Sequence, residues 1–231
     1  MKTNSPILLV GGSSSLGMTR KMCGIAREHI KLRGDRPHFA VLPTASGDNP
    51  DIVAEIEGYF AKLDCTYDFI TLTRGDAADL DARLNAADVI YVPGGIEERL
   101  RDAWTEHGVD RRIFRLAQAG NTLLAGSSAG AMAFSYACPF VTPDGRDVIF
   151  KGYDLVHVWF TPHYQLAEYK GFDAGLAAQS QPSLAFACGD DSAVLCTPDG
   201  AFTPVAGDEN NGVFRYEYAN GNWTSTELVG R

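Results

Sequence analysis

The sequence predicts an α/β fold built on a doubly wound, mostly parallel sheet, with antiparallel strands and a closing hairpin towards the C-terminus. Short runs of β-branched and aliphatic residues alternate with longer segments of helical spacing, and this alternation is typical of β-α-β units. Glycine-rich turns follow three of the apolar runs, at the strand ends where ligands collect in such sheets. The chain has 231 residues, of which 45% are hydrophobic, and we expect a single domain over residues 1–231.

The first half of the chain is interpreted as five strands that alternate with helices. The strands are the apolar runs at residues 7–10, 39–42, 69–72, 89–92 and 122–125. The helices carry apolar residues three and four positions apart, and they cover residues 18–32, 51–63, 76–84 and about 109–119. Asp48 or Asn49 ahead of Pro50 marks the start of the second helix. Parallel strands joined by helices follow from this order.

After Ala133 the chain becomes richer in proline, glycine and aromatic residues, and the apolar runs become shorter. We expect a partly antiparallel extension of the sheet here, with strands at residues 148–150, 155–160, 184–188, 193–196 and 202–205. Residues 213–218 and 223–228 are separated by Ala-Asn-Gly-Asn, which predicts a hairpin. The hairpin closes the fold.

Composition and charge argue against several classes of protein. The net charge of -9 is spread without blocks, which argues against a nucleic-acid or anionic-membrane partner. No segment approaches the length of a membrane span, and the N-terminus leads at once into an apolar strand rather than a signal-peptide core. We therefore expect a cytoplasmic protein.

The cysteines and the scattered acidic residues predict neither a metal site nor a cofactor. The five cysteines are odd in number and form no Cys-x-x-Cys pair, so we expect buried, reduced thiols. They are Cys23, Cys65, Cys138, Cys188 and Cys196. The Asp and His residues are too scattered for a metal site. Gly-Gly-Ser-Ser-Ser-Leu-Gly at residues 11–17 lacks the spacing of a dinucleotide-binding turn, and we expect it to line a substrate cleft.

The most informative motif is Gly-Ser-Ser-Ala-Gly at residues 126–130, directly after the fifth apolar run. Ser128 lies at its centre, in the Gly-x-Ser-x-Gly spacing of a nucleophile elbow. A serine held on a tight strand-to-helix turn packs against the residues two before and two after it, so both must lack bulk. The alternative interpretation is a Gly/Ser-rich loop that only connects two elements.

A serine hydroxyl becomes a nucleophile only when a base takes its proton. Among five histidines, His163 follows Pro162 at the end of a strand, where a loop residue can reach across the site. The other four fit better as surface, capping or structural residues. They are His29, His38, His107 and His157.

The sequence alone leaves the acidic partner of the histidine open. The order serine, acid, histidine of the α/β-hydrolases would require Asp144, Asp147 or Asp154. The order serine, histidine, acid points to Asp190 or Asp191, which follow the run at residues 184–188.

Four motifs together resemble the peptidase E family. They are Tyr-Val-Pro-Gly-Gly at residues 91–95, Gly-Ser-Ser-Ala-Gly-Ala-Met at 126–132, Phe-Thr-Pro-His-Tyr at 160–164 and Ala-Phe-Ala-Cys-Gly-Asp at 185–190. Pro-Thr-Ala-Ser at residues 43–46 is similar to the cyanophycinase branch of that family. The resemblance runs from the first strand to beyond Asp191. It implies a fold related to class I glutamine amidotransferase domains, with serine in place of their cysteine.

The resemblance implies a role for each matched residue. Ser128 would be the nucleophile, and His163 would be the base that later protonates the leaving amine. Asp190 takes the position of the acidic member, where the family's aspartyl dipeptidase has glutamate, and Asp191 stays the alternative. The backbone amides of Gly95 and Ala129 would hold the oxyanion.

The activity that the resemblance implies is that of a serine peptidase for a small peptide, dipeptidase-like, through an acyl-enzyme and without a cofactor. A non-peptide amidase or esterase could use the same residues. A catalytically silent binding domain is the alternative from another class. The resemblance leaves a homo-oligomer open.

The residues after His163 depart from the family where its substrate preference is set. Residues 164–182 contain Lys170 and no arginine, so a strict preference for an acidic substrate is not expected. Tyr164, Tyr169 and Phe172 suggest a more aromatic pocket.

Glu97 and Glu98 follow the Gly-Gly turn at residues 94–95. One of these carboxylates could pair with the free amino group of a substrate. The interpretation that we prefer is a solvated helix start.

Overall fold

The computed structural model describes residues 3–12, 15–141, 147–165, 172–178, 184–209 and 211–228. Within these ranges the chain forms seven α-helices and thirteen β-strands. The helices are α1 (Leu16–His29), α2 (Pro50–Phe60), α3 (Leu80–Ala86), α4 (Glu97–His107), α5 (Val109–Ala119), α6 (Ala129–Phe134) and α7 (Phe172–Ala177). The strands are β1 (Ile7–Val10), β2 (His38–Val41), β3 (Thr66–Phe69), β4 (Val89–Val92), β5 (Leu123–Ser127), β6 (Ala137–Val141), β7 (Asp147–Lys151), β8 (Trp159–Thr161), β9 (Leu184–Cys188), β10 (Ser192–Cys196), β11 (Phe202–Ala206), β12 (Val213–Ala219) and β13 (Asn222–Leu228). Short 3-10 helices lie at Pro43–Ser46 and Leu72–Arg74.

A seven-stranded sheet carries the parallel part of the fold, in the order β11-β10-β1-β5-β4-β2-β3. The five strands from β1 to β3 in this order are parallel. Strands β10 and β11 extend the sheet with antiparallel pairing. The carboxyl ends of β1, β4 and β5 therefore lie side by side, where the predicted glycine-rich turns follow them.

Both faces of this sheet are covered, as a doubly wound fold requires. Successive residues of β1 point to opposite faces, so Ile7 and Leu9 join one core cluster while Leu8 and Val10 join another. Helices α1 and α2 cover the second of these faces. The other face packs on α3 to α6 and on the second sheet, which contributes Phe160 and other side chains.

The second sheet has six strands in the order β13-β12-β9-β8-β6-β7. Strand β8 pairs in parallel with β6 and β9, and the remaining pairs are antiparallel. Helix α7 covers its outer face, where Phe172 and Leu176 pack against Trp159 and Tyr216. Residues 189–191 lead from β9 of this sheet directly into β10 of the first.

The predicted α/β fold class is confirmed, and the predicted hairpin is formed by β12 and β13. The strands that the sequence predicts as an extension of one sheet are divided between two sheets. Strands β10 and β11 continue the first sheet, whereas β6 to β9 form the second sheet with the hairpin. Among the described residues, no helix combines the length and the apolar character needed to cross a bilayer. All five cysteines are free and buried, as the sequence predicts.

Candidate active site

Ser128 lies on a sharp turn between β5 and α6. Its backbone has φ 51° and ψ -115°, a positive-φ conformation that is rare for a residue with a side chain. The flanking glycines make the turn feasible because the backbone passes close on both sides. A Cβ on Gly126 would lie 2.4 Å from the carbonyl carbon of Gly130, and one on Gly130 would lie 2.1 Å from the carbonyl oxygen of Val92. The motif thus forms the tight strand-to-helix turn that the sequence predicts.

The Ser128 hydroxyl, the His163 ring and the Asp190 carboxylate form one continuous hydrogen-bonded line. Ser128 Oγ lies 2.9 Å from His163 Nε2, and His163 Nδ1 lies 2.5 Å from Asp190 Oδ1. The side chains of His163 and Asp190 are only 21% and 27% exposed. The backbone N–H of His163 donates to the carbonyl of Gly11, which ties the histidine loop to the end of β1. These distances are within hydrogen-bond reach for proton transfer.

Asp191, the alternative acid, faces away from the histidine. Its carboxylate is buried and accepts hydrogen bonds from the backbone amides of Ser15 and Glu209. It therefore braces the start of α1 against the loop after β11. The geometry brings Asp190 to His163, and Asp191 has a structural position.

The other candidate residues lie elsewhere. His157 Nδ1 lies 2.8 Å from Asp154 Oδ1 on the surface, and His38 bonds the hydroxyl of Thr66. Asp144 lies outside the described residues, and Asp147 begins β7. None of these residues, so far as the chain is described, lines the cleft that holds Ser128.

Gly12 makes room for the paired side chains, a role that the sequence did not reveal. A Cβ at this position would lie 1.6 Å from Asp190 Oδ1 and 2.5 Å from His163 Nδ1. The carbonyl of Gly12 in turn accepts a 2.5 Å hydrogen bond from the Ser127 hydroxyl. The first glycine-rich turn thus packs directly beneath the histidine and the acid. Ser13 and Ser14 of the same turn lie outside the described residues.

Gly95 and Ala129, whose amides the sequence predicts for the oxyanion, both lie near Ser128, since Gly95 lines the same cleft and Ala129 follows the serine in the chain. The turn at residues 94–95 packs on the elbow, because a Cβ on Gly94 would lie 3.0 Å from Ser128 Cβ. Gly95 has φ 148°, and a Cβ there would collide with the carbonyl of Ala45. Ala129 is the first residue of α6, and the first N–H groups of a helix have no partner within it. The roles of the two amides stay predictions.

Comparison with known proteins gives the family. The model of peptidase family S51 matches residues 7–195, which contain both glycine turns, the elbow, the histidine and the acid. The chain belongs to peptidase family S51. It is accordingly a serine peptidase, and the predicted peptidase E resemblance is confirmed.

Individual relatives agree with this assignment. The S51 chain is 31% identical over 163 residues to the uncharacterized peptidase YgaJ of Bacillus subtilis (strain 168), an alignment that covers 66% of this chain and 70% of the relative. A crystal structure of a peptidase from an acI-B1 Actinobacterium shares the fold with a TM-score of 0.70 at 19% identity, covering 97% of this chain and 98% of that one. A putative peptidase E protein from Listeria monocytogenes EGD-e has a TM-score of 0.60 at 17% identity, covering 93% and 99%.

A cleft of about 270 Å³ opens over Ser128 in this S51 peptidase. Part of its lining comes from the elbow, from His163 and from the glycine turns that contain Gly12 and Gly94–Gly95. Helix α2 and the end of β4 line the rest of the cleft. The residues that these two elements contribute are Ile52, Glu55, Ile56, Tyr59, Tyr91 and Pro93. The cleft is therefore mostly apolar and aromatic, with a few polar groups close to the serine.

Two of the aromatic residues expected after the histidine, Tyr164 and Phe172, are not among the described residues that line this cleft. The Tyr164 ring packs against that of Phe214 at a tilt, and the Tyr164 hydroxyl lies 2.6 Å from that of Tyr216. Phe172 is fully buried beneath Tyr216. Both side chains pack the outer face of the second sheet, so the expectation of an aromatic pocket from them is wrong. Tyr169 and Lys170 lie outside the described residues.

Glu97 and Glu98 begin α4, which agrees with the predicted helix start. Glu98 is exposed. Burial raises the pKa of the Glu97 carboxyl, and the nearby charge of His163 opposes that rise. Glu97 therefore lies within electrostatic reach of the histidine.

Proposed function

We propose that this S51 peptidase hydrolyses a peptide or isopeptide bond in short, dipeptide-like substrates through an acyl-enzyme on Ser128. The observation that carries the proposal is the hydrogen-bonded line from Ser128 Oγ through His163 to Asp190, with separations of 2.9 Å and 2.5 Å. A hydroxyl, an imidazole and a carboxylate in this order are what a serine nucleophile requires.

In the acylation step, His163 Nε2 takes the proton of Ser128 as Oγ attacks the carbonyl carbon of the substrate. The negative charge moves to the carbonyl oxygen, where the amides of Gly95 and Ala129 would donate hydrogen bonds. The Asp190 carboxylate keeps Nδ1 protonated and stabilises the imidazolium that forms. His163 then gives its proton to the departing amine, and the C–N bond breaks.

Deacylation repeats these steps with water in place of the amine. His163 takes a proton from the water, whose oxygen attacks the acyl carbon. The second tetrahedral intermediate collapses, Ser128 regains its proton from the histidine, and the carboxylic acid leaves. The cleft over Ser128 is small, about 270 Å³ in all, which favours short substrates.

The test uses a library of dipeptides and tripeptides, including β-aspartyl linkages, with cleaved members identified by mass spectrometry. Ser128→Ala and His163→Ala should each lower kcat/KM by roughly a thousandfold or more. His157→Ala is the matched control, because it removes an exposed histidine that bonds Asp154, and it should keep wild-type activity.

Two results would contradict the proposal. Cleavage that survives both Ser128→Ala and His163→Ala would place the chemistry elsewhere. Failure of the wild-type enzyme on every peptide, with turnover of an amide or ester that is not a peptide, would move the substrate to another acyl class.

A further inference from the structure

Helix α2 forms one wall of the cleft over Ser128. It presents Ile52, Glu55, Ile56 and Tyr59 to the cleft. These residues follow the spacing i, i+3, i+4 and i+7, so they share one face of the helix. The wall is apolar except for one carboxylate and one phenol.

The Glu55 carboxylate is held in place by Tyr59. The Tyr59 hydroxyl donates a 2.8 Å hydrogen bond to Glu55 Oε1. This bond is the largest cause of the raised pKa of Tyr59, to which burial and the charges of Glu55 and Asp191 also contribute. A tyrosine phenol is protonated at neutral pH, so Tyr59 remains a donor to the carboxylate. A carboxylate offers about four acceptor positions, so the bond to Tyr59 leaves room for donors from a substrate.

The charge of the cleft favours a cation. Among the described residues that line it, Glu55 is the only carboxylate, and none is lysine or arginine. The whole chain carries a net charge of -9. An acidic group of a substrate would meet repulsion at this wall, and a positive group would meet attraction.

We propose that Glu55, oriented by Tyr59, binds a positively charged group of the substrate, an ammonium or a guanidinium, beside the bond that Ser128 attacks. This inference rests on the proposed function of Ser128. The N–H donors of the cation form charge-assisted hydrogen bonds to the carboxylate, and the rings of Tyr59 and Tyr91 supply aromatic surface for the same charge.

Two sources can provide this cation. A free α-amino group at the cleft would restrict the enzyme to the first peptide bond of its substrate. A lysine or arginine side chain next to the scissile bond would instead give side-chain selectivity, with no need for a free amino terminus.

The experiment starts from a peptide that the wild-type enzyme cleaves in the library. That peptide is made in three forms, with the cation only at the amino terminus, only in a lysine side chain next to the scissile bond, or nowhere. N-acetylation and norleucine supply the neutral counterparts. KM and kcat are measured for the wild type, Glu55→Gln, Tyr59→Phe and Glu57→Gln.

Glu57→Gln is the matched control. Glu57 lies on the same helix and also accepts a hydrogen bond from a tyrosine hydroxyl, that of Tyr67 at 3.3 Å. It is not among the described residues that line the cleft. Its kinetic constants should equal those of the wild type.

Glu55→Gln should raise KM roughly tenfold or more for the form whose cation occupies the cleft, with kcat little changed. It should leave the neutral form unaffected, and Tyr59→Phe should show a smaller effect of the same kind. The form that responds identifies the source of the cation.

The inference is overturned if Glu55→Gln behaves like Glu57→Gln on all three forms, or if the wild type cleaves the neutral form as efficiently as the charged ones. Both outcomes leave Ser128-dependent cleavage intact. They are thereby distinct from a failure of the proposed function, in which replacing Ser128 leaves cleavage unchanged or no peptide is cleaved.

Discussion

Asp190 and Asp191 are neighbours in the chain, but their carboxylates face different parts of the molecule. Asp190 contacts the His163 ring, whereas Asp191 is buried and accepts two backbone amides. Asp191 has φ 55°, so the chain turns sharply between the two. One carboxylate is positioned for chemistry and the other for the stability of the loops around it.

Replacing the two aspartates with asparagine should separate these tasks. Asp190→Asn should lower kcat by about 10³ to 10⁴, because asparagine cannot hold the histidine in the required tautomer. Asp191→Asn should lower the free energy of unfolding by about 1–3 kcal/mol, because an amide NH₂ would face one of the backbone donors. Steady-state kinetics and urea unfolding of both variants provide the measurement. The opposite pattern would exchange the two assignments.

At this scale the residue pattern alone identified Ser128 and His163 as candidates, whereas the preference for Asp190 came from the resemblance to the peptidase E family, with Asp191 as the alternative. The pattern could not choose between the two adjacent aspartates, because the direction of each carboxylate depends on the backbone conformation of the turn that carries them. Glu55 and Tyr59 were missed because they are 73 and 69 positions ahead of Ser128 in the sequence. Their signal was present as the i, i+4 pair on the cleft face of an amphipathic helix.

The junction of β5 and α6 is the element on which the position of Ser128 depends. Gly126→Ala would place a Cβ 2.4 Å from the backbone of Gly130, so the strand and the helix must separate. We expect a loss of about 1–3 kcal/mol in the free energy of unfolding, together with a loss of activity.

Gly24→Ala in α1 is the matched control for this substitution. Apart from the neighbouring backbone of α1 itself, no heavy atom within the described part of the chain lies within 4 Å of the Cβ it would add. Alanine should therefore stabilise the helix by about 0.5–1 kcal/mol. Urea titrations followed by circular dichroism test both variants, and equal effects would mean that the turn at Ser128 tolerates side chains.

Elements were predicted best where they are buried on both faces. Strands β1, β4 and β9 have the predicted bounds, since each is a continuous apolar run. The third strand was misplaced, because β3 (Thr66–Phe69) is half-polar and Leu72 begins a 3-10 helix. Only the start of helix α4 was predicted, at Glu97 and Glu98, and the rest of the helix was not. The reason is that it buries only Leu100, Ala103 and Trp104.

On the scale of the whole molecule, the pKa values of the five cysteine thiols differ between the folded and the unfolded chain. Burial raises the pKa of the thiols of Cys138, Cys188 and Cys196. Cys23 and Cys65 share a hydrogen bond that raises the pKa of the first and lowers that of the second. Thiolates form readily in an unfolded chain near pH 8.5, but in the folded chain four of the five thiols resist ionisation, and only that of Cys65 does not.

The free energy of unfolding should accordingly fall as the pH rises above about 8.5, because the unfolded chain releases thiol protons that the folded chain retains. Iodoacetamide at pH 8 should modify all five cysteines in urea. In the native protein it should leave Cys138, Cys188 and Cys196 unmodified, with Cys65 reacting first. Peptide mapping measures the sites, and native labelling of those three at the unfolded rate would contradict their burial.

The division into two sheets was the part of the architecture that the sequence did not predict. Strand β8 is three residues long and pairs with β6 and β9, so its assignment depends on partners remote in the chain. The antiparallel strands of the second half could equally extend the first sheet, because local patterns record burial but not which strand lies alongside.

The three residues between β9 and β10 cross from one sheet to the other, and Asp190 is the middle one. Insertion or deletion of even one residue there would rotate the carboxylate away from the histidine. The exposed turn around Gly200, between β10 and β11, has open space around it, so a change of length there would not move the site. The number of residues between β9 and β10 is thus a length that related chains must keep if the acid is to reach the histidine. A related chain that changed length at this crossing would have to find its acid elsewhere, while changes at the turn around Gly200 could accumulate without consequence for the site.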